Sequence, residues 1–295
     1  MKYNNPIKQT ARGWSWNRIC ERIKSKDARR RARVFCLIGD TTKELEAAKS
    51  KGFSLFNVIG VDIRPEPVKA WREAGGLAVQ APLECVLALS KYSPQAVIAD
   101  FCGGLTEKSF NTMVLALART EYPGCVVINL LRGRDHIDKF RMKGLNKACD
   151  TFNKPELKQL TKKRSILVMY ELFHRIYGPQ IFSEIEETES LTKQQFRKVD
   201  ELFETHWKKF VETLSPDFYD YKSADSNQYF DSLALNATGY PSTPEQVMNS
   251  GLFSLIKDYD IQLAKRRMAA LEAVRTKELN KMKSHYIEKY QPLNS

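Results

Sequence analysis

The residue types that could do chemistry gather where short apolar runs end. LIGD (37–40) closes on Gly39 and Asp40, GVDIRPEP (60–67) on Asp62 and Ile63, LAVQ (77–80) on Gln80, and QAVIADFCGGLT (95–106) on Asp100, Phe101 and Cys102. A glycine such as Gly39 lets a backbone approach a ligand, and a carboxylate about twenty residues further on, as at Asp62, is placed to accept hydrogen bonds from both hydroxyls of a ribose. Asp62 could equally start the helix PEPVKAW, and both roles stay open at this stage. Gln80 meets either an adenine edge or solvent. Asp100 ends a strand that should be buried, so its carboxylate is solvated at the sheet rim or paired with an arriving group. Cys102 is a nucleophile only if its thiolate is stabilised; no His or Lys adjoins it, and the nearest Lys, Lys108, is six residues on. The G-x-G-x-x-G loop that carries a dinucleotide pyrophosphate is absent, which argues against nicotinamide and flavin chemistry.

These ends belong to a regular alternation of strand-like and helix-like stretches. Apolar runs at 33–38, 57–61, 77–80, 95–100 and 124–131 read as buried strands. Between them, TTKELEAAKSKG, PVKAWREAGG, PLECVLALSKY and TEKSFNTMVLALART read as helices, with Gly52, Gly75 and Gly76 as stops. Five strands and four helices in about one hundred residues imply an α/β, doubly wound, mostly parallel sheet, whose ligands bind beyond the carboxyl ends of the strands. Residues 132–215 read as a helical insertion, in which ELFETHWKKFVETL presents Leu202, Phe203, His206, Phe210 and Leu214 on its inner face. FYDYKS and YFDSLALN then form an antiparallel hairpin, closing a core of 33–131 and 216–240. The remainder, 241–295, is a helical extension: from Gly251 to Pro292 no further Gly or Pro interrupts one long helix. It packs on its own domain in preference to serving as an oligomerisation element.

The net charge is +12, a surplus that favours polyanions such as nucleic acid, or an anionic membrane surface. Residues 1–33 hold eleven Lys/Arg against Glu21 and Asp27, so 1–32 reads as a basic N-terminal arm, either solvated or in contact with phosphates. Candidate phosphate contacts are Arg29, Arg30 and Arg31 in the arm and Arg132, Arg134, Lys162, Lys163 and Arg164 in the insertion. The six cysteines form no C-x-x-C pair and do not cluster with the four histidines, so no metal site and no disulfide framework is expected. A cytoplasmic protein is expected: the thiols suit a reducing compartment, and no signal-peptide pattern or membrane span is present.

The four strand ends in order, a fifth strand and a final hairpin together resemble a class I S-adenosylmethionine-dependent methyltransferase. CLIGDTTKELEAAKSKGF, NVIGVDIRPEP, ADFCGGL and Y-K-S…Y-F-D-S-L-A-L are similar to divergent methyltransferase-like proteins of bacterial viruses and mobile elements. The resemblance spans 33–131 and 216–236 and implies a seven-stranded sheet with an antiparallel strand inserted among the parallel ones. It further implies S-adenosylmethionine as cofactor, with Gly39 and Asp40 near its methionine part, Asp62 on the ribose, and Ile63 and Gln80 flanking the adenine. Asp100, Phe101 and Cys102 become the catalytic, methyl-acceptor wall. The implied activity is methyl transfer to a nucleic acid base, in DNA rather than RNA, with Asp100 accepting a hydrogen bond from the amino group and Phe101 stacking on the base. Because only one glycine remains of the usual acidic-x-G-x-G-x-G loop and no proline accompanies Asp100 and Phe101, the alternative is a catalytically degenerate fold that binds nucleic acid or protein.

Overall fold

The computed structural model describes residues 6–101, 106–131, 168–177, 193–222, 229–237, 242–249 and 258–290. Cys102 and the insertion residues Arg132, Arg134, Lys162, Lys163 and Arg164 lie outside them. Seven strands form one sheet: β1 (Val34–Leu37), β2 (Val58–Asp62), β3 (Leu77–Gln80), β4 (Ala96–Phe101), β5 (Cys125–Leu131), β6 (Asp217–Lys222) and β7 (Tyr229–Asn236). Their order is β3-β2-β1-β4-β5-β7-β6. The first five are parallel, β7 runs antiparallel to β5, and β6 antiparallel to β7. The doubly wound sheet, the closing hairpin and the long C-terminal helix are thus all present.

Strand alternation divides the side chains between two helical layers. One face carries Val34, Cys36, Val58, Ala96, Ile98, Cys125 and Val127, covered by α1 (Pro6–Arg22), α3 (Lys43–Ser50) and α4 (Pro65–Glu73). The other carries Phe35, Ile59, Val97, Ala99, Val126 and Ile128. It is covered by α5 (Leu83–Leu89), α6 (Glu107–Arg119), a helix over 168–177 (α7), α8 (Lys193–Leu214), α9 (Pro244–Asn249) and α10 (Asp258–Tyr290). Gly52 and Gly75 follow α3 and α4 at φ of +84°, the left-handed turn that a helix stop requires. Thr106 and Ser109 form a reciprocal capping box that starts α6 directly after β4's loop.

Three sequence expectations change. The N-terminal arm is not an arm: 6–31 form α1 and a short α2 (Lys26–Arg31), and Trp16 and Ile19 are fully buried against the sheet. Its arginines are largely turned to internal use. Arg12 pairs with Glu44, Arg18 and Arg22 with Asp217, and Arg22 also donates to Asn236. Arg29 donates to the carbonyls of Ile23, Lys24 and Lys51, so it ties α2 to its surroundings; Arg30 and Arg31 stay exposed. The long helix begins at Asp258, with Ile261, Ala264, Met268 and Leu271 buried, while Lys277, Lys281 and Lys283 are exposed. Finally, α8 also buries Trp207, which the expected stripe left out and which meets Phe173 of α7 edge-on with ring centroids 5.4 Å apart. Among the described residues, no helix is long and apolar enough to cross a membrane.

Because α1 is part of the core, Trp16→Ala should cost about 3–5 kcal/mol of stability, the range for truncating a buried large aromatic. Urea unfolding followed by circular dichroism measures it; a loss below about 1 kcal/mol would mean that α1 is not docked as described.

Candidate functional site

The strand order reverses between β1 and β4: the chain adds β2 and β3 on one side of β1, then crosses back to place β4 on the other. The helices that follow β1 and β4 therefore diverge and leave a crevice at the carboxyl ends of the strands. A cavity of about 470 Å³ lies there. Gly39, Asp40, Asp62, Ile63, Asp100 and Phe101 all line it, so the ends of β1, β2 and β4 converge on one space as the sequence suggested. Gln80 is not in the lining. Its side-chain amide donates to the carbonyl of Ile63 at 3.0 Å, supporting the β2 loop, and its own carbonyl accepts from Arg267.

Two of these positions face open space. A Cβ built on Gly39 would meet no atom within 4 Å, which leaves an unfilled approach to the backbone at the end of β1. Ile63 is 65% exposed, an unusual state for a large apolar side chain on the rim of a cavity. Asp62, by contrast, is buried and engaged. Its Oδ1 accepts the Arg64 backbone N–H at 2.8 Å and Nε at 3.3 Å, and its Oδ2 accepts Nη2 at 3.1 Å. Arg64 Nη1 reaches Asp40 Oδ1 at 2.9 Å, and these carboxylates raise its pKa. Of the two roles open for Asp62, the structure thus displays the local one: it orders the turn into α4, which Pro65 begins.

Sequence reasoning missed several lining residues. Glu44 in the first turn of α3 holds Arg12 Nε at 2.6 Å through Oε1 and the Trp16 indole at 2.7 Å through Oε2. Burial raises its pKa against the opposing pull of Arg12 and the two hydrogen bonds. Glu84, buried in the first turn of α5, pairs with Lys108 of α6 at 2.9 Å. Both acids follow a strand by a few residues, and that position was the available signal. Lys8 and Arg12 were missed because α1 itself was.

Asp100 differs from the other acids of the cavity. None of the described residues forms a hydrogen bond or ion pair with its side chain, and burial raises its pKa, countered by the charges of Lys8 and Arg12. Pairing register places it beside Asn129 of β5, which lies beside Ser232 of β7. Among the described residues Asn129 Oδ1 and Ser232 Oγ are buried without a hydrogen-bond partner, so a row of polar side chains crosses the sheet from Asp100 beneath α1. Phe101, the next residue along β4, turns to the opposite layer and packs on its core while remaining in the cavity wall. Among the described residues, no group of three or more His, Cys, Asp or Glu could hold a metal ion.

A parallel sheet reversed at β1/β4, with an antiparallel β7 inserted between β5 and β6, is the arrangement implied by the sequence resemblance. The fold is class I methyltransferase-like. No family model matches the sequence, and no curated protein matches it. Solved structures with a similar arrangement include a SAM-dependent methyltransferase from Archaeoglobus fulgidus, 15% identical, with 77% of this chain and 94% of that one covered at a TM-score of 0.38. The plantazolicin methyltransferase BamL, in complex with a triazolic desmethylPZN analog and SAH, is 11% identical over 77% of this chain and 85% of its own, at a TM-score of 0.39. In this methyltransferase-like fold the site must be argued from its own side chains.

The raised pKa of Asp100 predicts a pH-dependent effect of Asp100→Asn. A carboxyl group with its folded pKa above its unfolded value favours the folded state at acidic pH, and that contribution is lost as pH rises through the folded pKa. At neutral pH the charged form is therefore a burden, and Asp100→Asn should raise the melting temperature by a few degrees. The gain should vanish below the ordinary carboxylate range. Calorimetric melts from pH 3.5 to pH 8 check this; a gain independent of pH would contradict it.

Proposed function

We propose that this protein binds S-adenosylmethionine in the crevice at the ends of β1, β2 and β4 and catalyses methyl transfer to a nitrogen of a nucleic acid base. The observation that carries the reading is the convergence of Gly39, Asp62, Ile63 and Asp100 on one open cavity at the switch point of the sheet. The residues present fit the cofactor: Gly39 leaves room for close approach, Ile63 offers an exposed apolar surface to an adenine, and Asp62 has two oxygens for the ribose hydroxyls. When bound, the cofactor supplies an electrophilic methyl group on a sulfonium.

The chain's own residues then position the acceptor. Asp100 accepts a hydrogen bond from the amino group, which keeps electron density on the attacking nitrogen, and its raised pKa suits it to take the proton that leaves as the N–C bond forms. Phe101 completes the wall, and catalysis comes mostly from holding nitrogen and methyl in line. A nucleic acid acceptor is supported by the net charge of +12 and by exposed Lys24, Lys26, Arg30 and Arg31 on one short stretch. The internal pairing of Arg12, Arg18, Arg22 and Arg29 reduces the charge available to phosphates below what the sequence suggested. A second reading, a fold that has lost chemistry and serves as a nucleic-acid- or protein-binding module, is favoured by the engagement of Asp62 with Arg64.

Titration calorimetry with S-adenosylmethionine separates the two. Asp62→Ala should weaken binding at least ~tenfold by removing two charge-assisted hydrogen bonds. Gly39→Ala should weaken binding while leaving the melting temperature within about 2 °C of wild type, since the added Cβ enters open space. Absence of heat at millimolar ligand would favour the binding module. For the acceptor, affinity for nucleic acid should fall steeply with salt, and Arg30→Gln with Arg31→Gln should reduce the slope of log K against log[salt] by roughly 1–2. Binding that is absent or independent of salt would remove nucleic acid from the proposal.

A further inference from the structure

We infer that Arg64 is an affinity-setting residue for the nucleoside: it occupies the Asp62 carboxylate that the ribose needs, so the ligand must displace it to bind. This inference rests on the nucleoside reading of the cavity given above. The geometry is that of a fork across the site. Nε and Nη2 of Arg64 address the two oxygens of Asp62 at 3.3 and 3.1 Å, while Nη1 holds Asp40 Oδ1 at 2.9 Å. The guanidinium therefore spans the ends of β2 and β1, both in the lining of the cavity. The Asp62 side chain is 9% exposed, and its Oδ1 already accepts the Arg64 backbone N–H, so its remaining lone pairs are the ones a ribose diol and the guanidinium would contest.

The competition is finely balanced because the two partners differ in burial. The side chain of Arg64 is half exposed, as is that of Asp40, so the released guanidinium returns to water or keeps Asp40 at little cost. Asp62 is buried and cannot be left bare without a desolvation penalty, so one donor must replace another in the exchange. Two ribose hydroxyls supply that replacement; a ligand lacking them does not. Arg64 thereby lowers the affinity for a ligand that presents the intact diol and leaves one without it unaffected.

Adenosine and 2′,3′-dideoxyadenosine, titrated into the full chain, read this out. Arg64→Ala should bind adenosine roughly three- to fivefold more tightly than wild type, the worth of a half-exposed ion pair. The gain should be absent with 2′,3′-dideoxyadenosine, which places no hydroxyl on Asp62. Raising the salt concentration should narrow the gap between wild type and Arg64→Ala by screening the pair, an effect that a purely structural role would not produce. Unchanged or weaker adenosine binding by a normally melting Arg64→Ala overturns the inference and leaves the cavity reading intact. Failure of wild type and Arg64→Ala alike to bind adenosine or S-adenosylhomocysteine overturns the nucleoside reading itself, and the inference with it.

Discussion

A parallel sheet cannot be extended on both sides from one strand without the connections parting company somewhere. In this protein the parting falls between β1 and β4, which pair in register from Val34 with Ala96 to Cys36 with Ile98. Helices leaving β1 pack on one face and those leaving β4 on the other, so the carboxyl ends of these strands open onto a crevice that the backbone itself leaves unfilled. The cavity, its acidic lining and the closeness of Asp62 to Asp100 all descend from that reversal. The core on either side is continuous: Phe35 and Val97 lie in one apolar layer, Cys36 and Ile98 in the other.

Burying acids around such a crevice demands compensation, and each is compensated differently. Glu44 is held by a guanidinium and an indole, which fixes α1 over the site. Glu84 is held by Lys108, which joins the first turns of α5 and α6. Asp40 and Asp62 share one arginine. Asp100 alone among these five carboxylates has no such direct donor from the described residues, and its environment therefore favours the neutral form. A lining in which four acids are satisfied locally directs an incoming donor to the fifth.

The parallel core was legible because buried strands and amphipathic helices alternate on a short period, and Gly52 and Gly75 mark the stops where a left-handed residue is needed. Strand-end logic also brought Gly39, Asp62 and Asp100 together correctly. It failed for Gln80, because nothing in LAVQ distinguishes an amide aimed at a ligand from one bonded to the Ile63 carbonyl. Residues 6–22 read as a basic arm, solvated or on phosphates, when formal charge alone is weighed; yet Ile7, Ala11, Ser15, Ile19 and Ile23 recur every four residues, and the arginines between them reach partners far along the chain. Such partners are invisible to local pattern. Trp207 is a different case: it falls on the period of α8, four residues after Phe203 and three before Phe210, and was legible from the pattern alone.

The bonds from Arg22 to Asp217 and Asn236 join the first helix to the last two strands. Moreover, β7 is inserted between β5 and β6, so the outer edge of β5 has no neighbour until β7 is made. From Leu131 to Tyr229 a ribosome must add 98 residues, roughly 5–20 s of translation at ordinary speeds. Throughout that interval the nascent chain carries an unpaired hydrophobic strand edge, and its first helix has α3 and β5 to pack on but lacks the anchor that Arg22 makes on the hairpin. The sheet is thus closed only when its last strand fills its penultimate position.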